Sequence, residues 1–177
     1  MPTLMGHAAV PILLGAGLGR RRIPRPLLIA GMALSILPDL DVVGFRLGIP
    51  YASTFGHRGM THSLLFAGLA ALLCTVLMQT GRKAPFLTFA FLFTAAASHG
   101  LLDCLTDGGK GIALLWPFSD ERFFAPLRTI RVSPIGLSNF LSERGWTVLQ
   151  SELLWIWLPG LFLAFGLRAC RTRRWAW

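Results

Sequence analysis

The feature that most constrains this chain is a succession of apolar runs separated by short turns that carry arginine and proline. Gly6–Gly19 is apolar but short, and it holds Pro11 and several glycines that permit a kink or a close helix crossing. A second helix is expected from about Pro26 to Leu37, and a third from Ser63 to Gly81, the clearest span in the chain. A fourth begins at Pro85 and runs through a phenylalanine-rich stretch, Phe86 to Phe93, to His99; a last one covers about Leu149 to Leu167. In lipid every backbone polar group must be satisfied within the chain, so segments of this kind fold as helices. With 54% hydrophobic and only 14% charged residues, the 177-residue chain reads as one all-α, polytopic membrane bundle of about five spans over 1–177. Little is left for a soluble domain.

The distribution of charge excludes one class of function and orients the bundle. A net charge of +9 is large, but there is no basic stripe interleaved with aromatics, so no nucleic acid is expected as a partner. Arg20, Arg21, Arg22 and Arg25, then Arg82 and Lys83, then Arg168, Arg171, Arg173 and Arg174 bracket the apolar runs instead. With five spans these ten of the seventeen cationic residues fall on one side, which the positive-inside rule makes cytoplasmic. Every histidine and every carboxylate then falls on the other side. Met1 to Leu4 has no Lys or Arg, unlike the start of a cleaved signal peptide, so the first segment is expected to stay attached. Cys74, Cys104 and Cys170 are odd in number and lie in or beside apolar runs, which suits packing rather than a disulfide framework.

Within that frame the polar residues group into motifs. His99, Asp103 and Asp107 are spaced by four, so on a helix ended by Gly108-Gly109 they stack on one face at metal-ligand spacing. Pro38-Asp39-Leu40-Asp41 places two carboxylates just past an apolar helix, before an irregular stretch from Val42 to Phe55. His57-Arg58-Gly59-Met60-Thr61-His62-Ser63 introduces the third span, with His57 expected on the preceding loop and folding back. Gly6-His7 adds a fourth histidine. His7, His57, His62 and His99 are therefore candidate nitrogen ligands, and Asp39, Asp41, Asp103 and Asp107 candidate oxygen ligands, of a divalent metal, zinc or manganese. Eight candidates suit two ions with open positions, or one ion with outer carboxylates orienting the histidines. Asp39 or Asp107 is the candidate base. The stretch from Thr106 to about Thr147 reads as a lid or an interfacial platform, and its Arg122, Arg128 and Arg131, with Arg58, are candidates to pair with a substrate phosphate.

Taken together, Gly6-His7, the Pro-Asp-x-Asp run, His57-Arg58-Gly59-x-Thr61-His62-Ser63 and His99-Gly100-x-x-Asp103-x-x-Thr106-Asp107-Gly108-Gly109 resemble the bacterial inner-membrane metal-dependent hydrolases of the YdjM-like group, over residues of about 5 to 136. The His-x-x-x-Asp arrangement is more distantly similar to zinc-dependent phospholipase C and its related nucleases. Those relatives imply an all-helical fold and phosphoester hydrolysis by a zinc cluster. The chain departs from them in lacking an early tryptophan and in having fewer histidines, which weighs against a three-metal centre. The expectation is a multi-pass protein of the bacterial inner membrane whose extracytoplasmic metal site cleaves a phospholipid or lipid-linked phosphate with activated water. Two other classes fit the same residues. A metal-ion transporter or sensor would spread its ligands through the membrane depth. A non-catalytic assembly protein would use metal to staple helix ends, with every coordination position filled by protein.

Overall fold

Helix starts in this chain are set by local chemistry that can be read residue by residue. The computed structural model describes residues 1–78, 84–134 and 140–173. The expected end of the third span at Gly81, the basic pair Arg82/Lys83 and Arg174 lie outside the described residues. Helix α1 (Leu4–Leu18) begins at Thr3, whose hydroxyl accepts from Gly6 N at 3.0 Å. Helix α2 (Arg25–Ile36) follows Pro24 and carries Pro26 in its first turn, where the missing N–H costs nothing. Helix α3 (Leu64–Leu77) is capped by Ser63 Oγ, which accepts from Phe66 N at 3.1 Å, and helix α4 (Pro85–Cys104) starts on proline. The last rod is continuous over Glu143–Thr172. It consists of α5 (Glu143–Glu152), a π-helical turn (Leu153–Trp157) and α6 (Leu158–Arg173).

These elements form an all-helical bundle, with no β-sheet among the described residues. Ile23, Leu27, Leu34, Ala67, Ala71, Phe91 and Leu92 fill a core between α2, α3 and α4. A second, smaller core joins Ala9 and Leu13 of α1 to Ile156 and Ala164 of the last rod. Outside these cores the helices present large apolar side chains outward, among them Leu69, Leu72, Leu73, Val76, Phe162 and Phe165. An apolar exterior of that extent belongs in lipid. Three stretches are long and apolar enough to cross a membrane: Arg25–Leu47, Pro85–Cys104 and Glu143–Thr172. Helices α1 and α3 are apolar but have 15 and 14 residues. At about 1.5 Å per residue they reach only ~22 Å, against a hydrocarbon core of ~30 Å.

The ends of the helices sort into two poles. Starts of α1, α3 and α5 meet the ends of α2 and α4 at one pole, and the α1–α2 turn and the end of α6 stand at the other. At the first pole the winding departs from the expected pattern in three places. After Ile36 the chain tightens into a 3-10 segment, Leu37–Leu47, so the first half of the stretch read as irregular is wound. Helix α4 ends at Cys104, not at Gly108-Gly109, because Thr106 turns back on it: Thr106 N and Oγ1 both donate to Asp103 O, at 3.1 and 2.8 Å. The last helix starts at Glu143, six residues before the apolar run that announced it. Its first turns are amphipathic and lie on the bundle, with Gly145 and Val148 buried.

Between α4 and α5 the described part of the long loop is stitched down over this pole. Thr106 bridges Ile130 in parallel and Ile112 bridges Phe123 in antiparallel sense, with Ile112 and Ile130 fully buried. Leu64 N donates to Leu114 O at 3.0 Å and Ala125 N to Cys104 O at 2.9 Å, tying the cover to α3 and α4. Asp107 anchors it, accepting from Val132 N at 2.8 Å and from Arg131 Nη1 at 2.9 Å. Burial pushes the Asp107 carboxyl up, but the Arg131 guanidinium and the Val132 amide outweigh it and hold the group below the usual carboxylate range. A depressed native pKa means the anchor contributes fully above the unfolded value, near 4, and is lost as pH falls through the native one. Hydrogen exchange at Ile130 to Val132 should therefore accelerate on acidification below about pH 4, and Asp107→Asn should show the fast exchange already at neutral pH with no further acid response.

Candidate metal centre

One pole of the bundle holds a polar cluster sealed from solvent. His7 comes from the first turns of α1, Asp39 and Asp41 from the 3-10 segment after α2, and His57, Arg58 and His62 from the turns before α3. His99 and Asp103 come from the last turns of α4. His7, Arg58, His99 and Asp103 are fully buried, and Asp39, His57 and His62 nearly so. Gly100 makes the assembly possible: a Cβ there would stand 2.6 Å from His62 O, so only glycine lets the His62 turn lie against α4.

Ligand atoms of Asp39, His62, His99 and Asp103 all lie within 4.8 Å of one another. His99 Nε2 is 3.4 Å from Asp39 Oδ1 and 3.1 Å from His62 Nε2, and His62 Nε2 is 3.6 Å from Asp103 Oδ2. His7 stacks on His99, ring centroids 3.8 Å apart, with its Nε2 at 3.8 Å from both Asp39 Oδ2 and Asp103 Oδ1. Asp41, His57 and His62 form a second, overlapping group around a 2.6 Å contact between His57 Nδ1 and Asp41 Oδ1.

Hydrogen bonds decide which ring nitrogen of each histidine faces the centre. His99 Nδ1 lies 2.7 Å from Ser35 O, and a carbonyl can only accept, so Nδ1 carries the proton and Nε2 presents a lone pair inward. Pro38 is the reason that carbonyl is free: in the tighter winding it would pair with the N–H of residue 38, which proline lacks. His62 Nδ1 faces Asp41 Oδ2 at 3.3 Å and Thr61 Oγ1 at 3.1 Å. Thr61 donates to Asp41 Oδ2 at 2.8 Å, so both neighbours accept from Nδ1, which again turns Nε2 inward. Two Nε2 lone pairs 3.1 Å apart repel unless a cation stands between them. Without a metal ion that cation is a proton on His62: burial pushes its imidazolium down, but Asp39 and Asp41 outweigh it and raise its pKa to about 9, so a bound metal would take the proton's place.

Both oxygens of Asp39, both oxygens of Asp103 and both nitrogens of His7 are buried without a hydrogen-bond partner. Two ionised carboxylates left in this state would cost several kcal/mol each. Arg58 offsets part of that for Asp103, its Nε lying 3.1 Å from Oδ2. The rest of the donor set, hard oxygen and imidazole nitrogen converging from four chain segments, fits a divalent transition metal or zinc. When bound, such an ion supplies Lewis acidity and a water nucleophile active at neutral pH.

The structure does not bring every candidate to this cluster. Asp107 stands beyond the end of α4 with its oxygens engaged by Arg131 and Val132. Asp41 lies one layer out, accepting from His57, Thr61 and the Arg58 amide at 3.2 Å. Arg58 is at the cluster but locked: in left-handed backbone (φ 64°), it donates to Gly108 O at 2.8 Å and to Thr106 Oγ1 at 3.0 Å. Arg122 donates to the carbonyls of Ser53, His57 and Arg58, and so ties the cover to the ligand turn. Arg131 holds Asp107, and the Arg128 guanidinium lies 3.8 Å from the centre of the Phe124 ring. Three residues without an assigned role in the motifs also shape the site. Ser35 and Thr61 orient the histidines, and Glu152 accepts from both Thr3 N and Thr3 Oγ1 at 2.7 Å, fixing the cap that places His7. Pro38, three residues after Ser35, was the one signal pointing to a free carbonyl there.

Motifs in this order on an all-helical membrane bundle match a known family model, the YdjM inner membrane protein, over residues 1–175. The chain belongs to the YdjM inner membrane protein family. It is 49% identical to the inner membrane protein YbcI of Escherichia coli K12 over 164 residues, covering 92% of this chain and 95% of the relative. It is 40% identical to the inner membrane protein YdjM of the same organism over 91 residues, 46% of this chain and 44% of that protein; the Shigella flexneri YdjM matches equally. No solved structure matches the chain. Family and apolar helices together place the protein in the inner membrane. Because Asp41 fixes the His62 tautomer, Asp41→Ala should lower zinc affinity by roughly 10–100-fold, measured by competition with a chromophoric chelator, while Asp107→Ala leaves it unchanged.

Proposed function

We propose that this family member is a membrane-embedded metal-dependent hydrolase that cleaves a phosphoester of a phospholipid or lipid-linked phosphate. The observation that carries the reading is the set of unpartnered carboxylate oxygens on Asp39 and Asp103, facing the inward Nε2 atoms of His62 and His99 in a buried cluster. These four residues hold one divalent ion, zinc or manganese. Asp41 and His57, with His62, offer a second seat. Asp39 has two unpartnered oxygens, so it can hold a proton from water while still facing the histidines. His7 lies against both carboxylates and completes the polar wall.

Position supports a lipid substrate. Helices α1, α3 and α5 begin at this pole and α2 and α4 end there, which favours a site at the headgroup level over one at mid-membrane. A transporter would need ligands along the helices, and these cluster at one end. The opposite pole, where Arg20, Arg21, Arg22, Arg25, Arg168 and Arg171 gather, supports an orientation. Positive-inside then makes the metal pole extracytoplasmic, with all five helical rods inserted.

Burial of all four ligands also favours a second reading, a metal that only staples helix ends. Metal content and hydrolysis separate the two. Detergent-purified wild-type protein should carry one to two equivalents of zinc or manganese and hydrolyse a phospholipid phosphoester, with His99→Ala losing the metal and at least ~100-fold of the rate while its helical circular dichroism survives. Metal retained in the wild type with no hydrolysis of any phospholipid offered would support the staple instead.

A further inference from the structure

The metal pole ends in loops whose outer side chains are apolar where a water-facing loop carries polar ones. The clearest case is the turn 114–118 in the cover. Leu64 N at the start of α3 donates to Leu114 O at 3.0 Å, and Leu114 Cδ1 lies 3.7 Å from the place a Cβ would take at Gly100 on α4. The turn is thus wedged between these two helices. Its outer residues, Leu115 and the 89% exposed Phe118, continue the outward apolar surface of Leu65 on α3 and Leu101 on α4. Its backbone is largely satisfied within the chain: Ala113 N donates to Arg58 O, Trp116 N to Ala113 O, and Phe118 N and Ser119 N to Leu115 O, while Pro117 has no N–H. A turn whose donors are paired in this way can enter an apolar layer at little cost.

A second segment beside the cluster has the same character. In the 3-10 segment Leu37–Leu47, residues three apart eclipse, so Leu40 and Val43 stand together on one side. Both are exposed, as is Leu47, while Asp39 and Gly44 are buried against the bundle. The stretch Arg25–Leu47 is apolar enough to cross a membrane over its whole length, so this outer face continues the exterior of α2, where Ile29 is exposed. Charges limit the depth. Arg46 adjoins Leu47, and Asp120 and Glu121 follow closely on Phe118, all three exposed. Charged groups are costly in the hydrocarbon core, so these tips reach the boundary between acyl chains and headgroups and no deeper.

We propose that the metal pole is seated in the bilayer: Leu115 and Phe118 of the cover, with Leu40 and Val43 of the 3-10 segment, insert at the acyl–headgroup boundary of the adjacent leaflet. The partner is the lipid of that leaflet. Ala113 N, bonded to Arg58 O, ties the inserted turn to the residue that pairs with Asp103, and Leu40 lies between the two carboxylates of its own segment. Lipid therefore stands beside the cluster in place of bulk water. This does not rest on the hydrolase reading, since a seated pole fits a catalytic metal and a stapling one equally.

The test is a depth measurement on the full chain reconstituted in vesicles of phosphatidylglycerol and phosphatidylethanolamine, read without metal or activity. In a Cys74→Ala/Cys170→Ala background that keeps the buried Cys104, a nitroxide is attached at Val43→Cys, Leu115→Cys or Phe118→Cys. Leu161→Cys, exposed on the last rod, gives the acyl reference, and Glu121→Cys gives the water reference. Each label replaces an exposed side chain, so helical circular dichroism should match that of the unlabelled parent. The ratio of collisions with oxygen to collisions with a water-soluble nickel chelate should be several-fold higher at Val43, Leu115 and Phe118 than at Glu121, and close to that at Leu161. Ratios equal to that at Glu121 would overturn the proposal. Low collision rates with both reagents, with spin–spin broadening that disappears on dilution by unlabelled protein, would overturn the lipid assignment in favour of a second copy of the chain.

Discussion

Two carboxylates, Asp39 and Asp103, are buried facing two inward histidine nitrogens, and much of the fold around them reads as a response to that fact. Ionised groups in such a place must be balanced by cations or withdrawn from it. Here Arg58 lies against Asp103 and is held by Gly108 O and Thr106 Oγ1. Ser35 O and Asp41 hold the histidine protons on the outer ring nitrogens. Each of these partners comes from a loop or a helix end, which is why the chain at this pole is tightly wound and heavily hydrogen-bonded instead of frayed. The cover of residues 106–134 belongs to the same device. By binding the Ser53, His57 and Arg58 carbonyls, Arg122 makes cover and ligand turn one unit.

The helices can be plain because their ends carry the chemistry. In lipid, apolar surface gives no net drive for helices to associate, so close packing must come from small residues and shape. Gly17 against Ala164, and Gly31 against Phe91, mark where backbones or rings approach too closely for a side chain. The result is a bundle with an acidic, histidine-rich pole and an arginine-rich pole.

The residues of the buried cluster can be picked out of the sequence by pattern. Asp39, His62, His99 and Asp103 sit in short motifs at the ends of apolar runs, and charge next to a membrane segment is costly enough to signal use. The assignment of Asp107 to the same helical face did not hold, because periodicity extends a helix only until a local cap competes. Thr106, by bonding back to the Asp103 carbonyl, ended α4 at Cys104 and sent Asp107 to Arg131. The loop arginines show the same limit. Composition marks Arg122 and Arg131 as cationic, but only the folded chain shows one taken up by backbone carbonyls and the other by a carboxylate.

Sequence alone determined what depends on pattern: apolar runs that must be helical in lipid, prolines and serines that start helices, and motifs that put histidines and carboxylates at one set of helix ends. Family membership adds the inner membrane to that picture. Only the tertiary structure decided which of those polar atoms share a space, which face inward, and which are left without partners. The Ser35 carbonyl and the His99 ring are 64 residues apart, and the Gly19 turn and Arg171 lie at opposite ends of the chain. Contacts of that range depend on how helices pack and how their ends are wound, and no local spacing of residues encodes them.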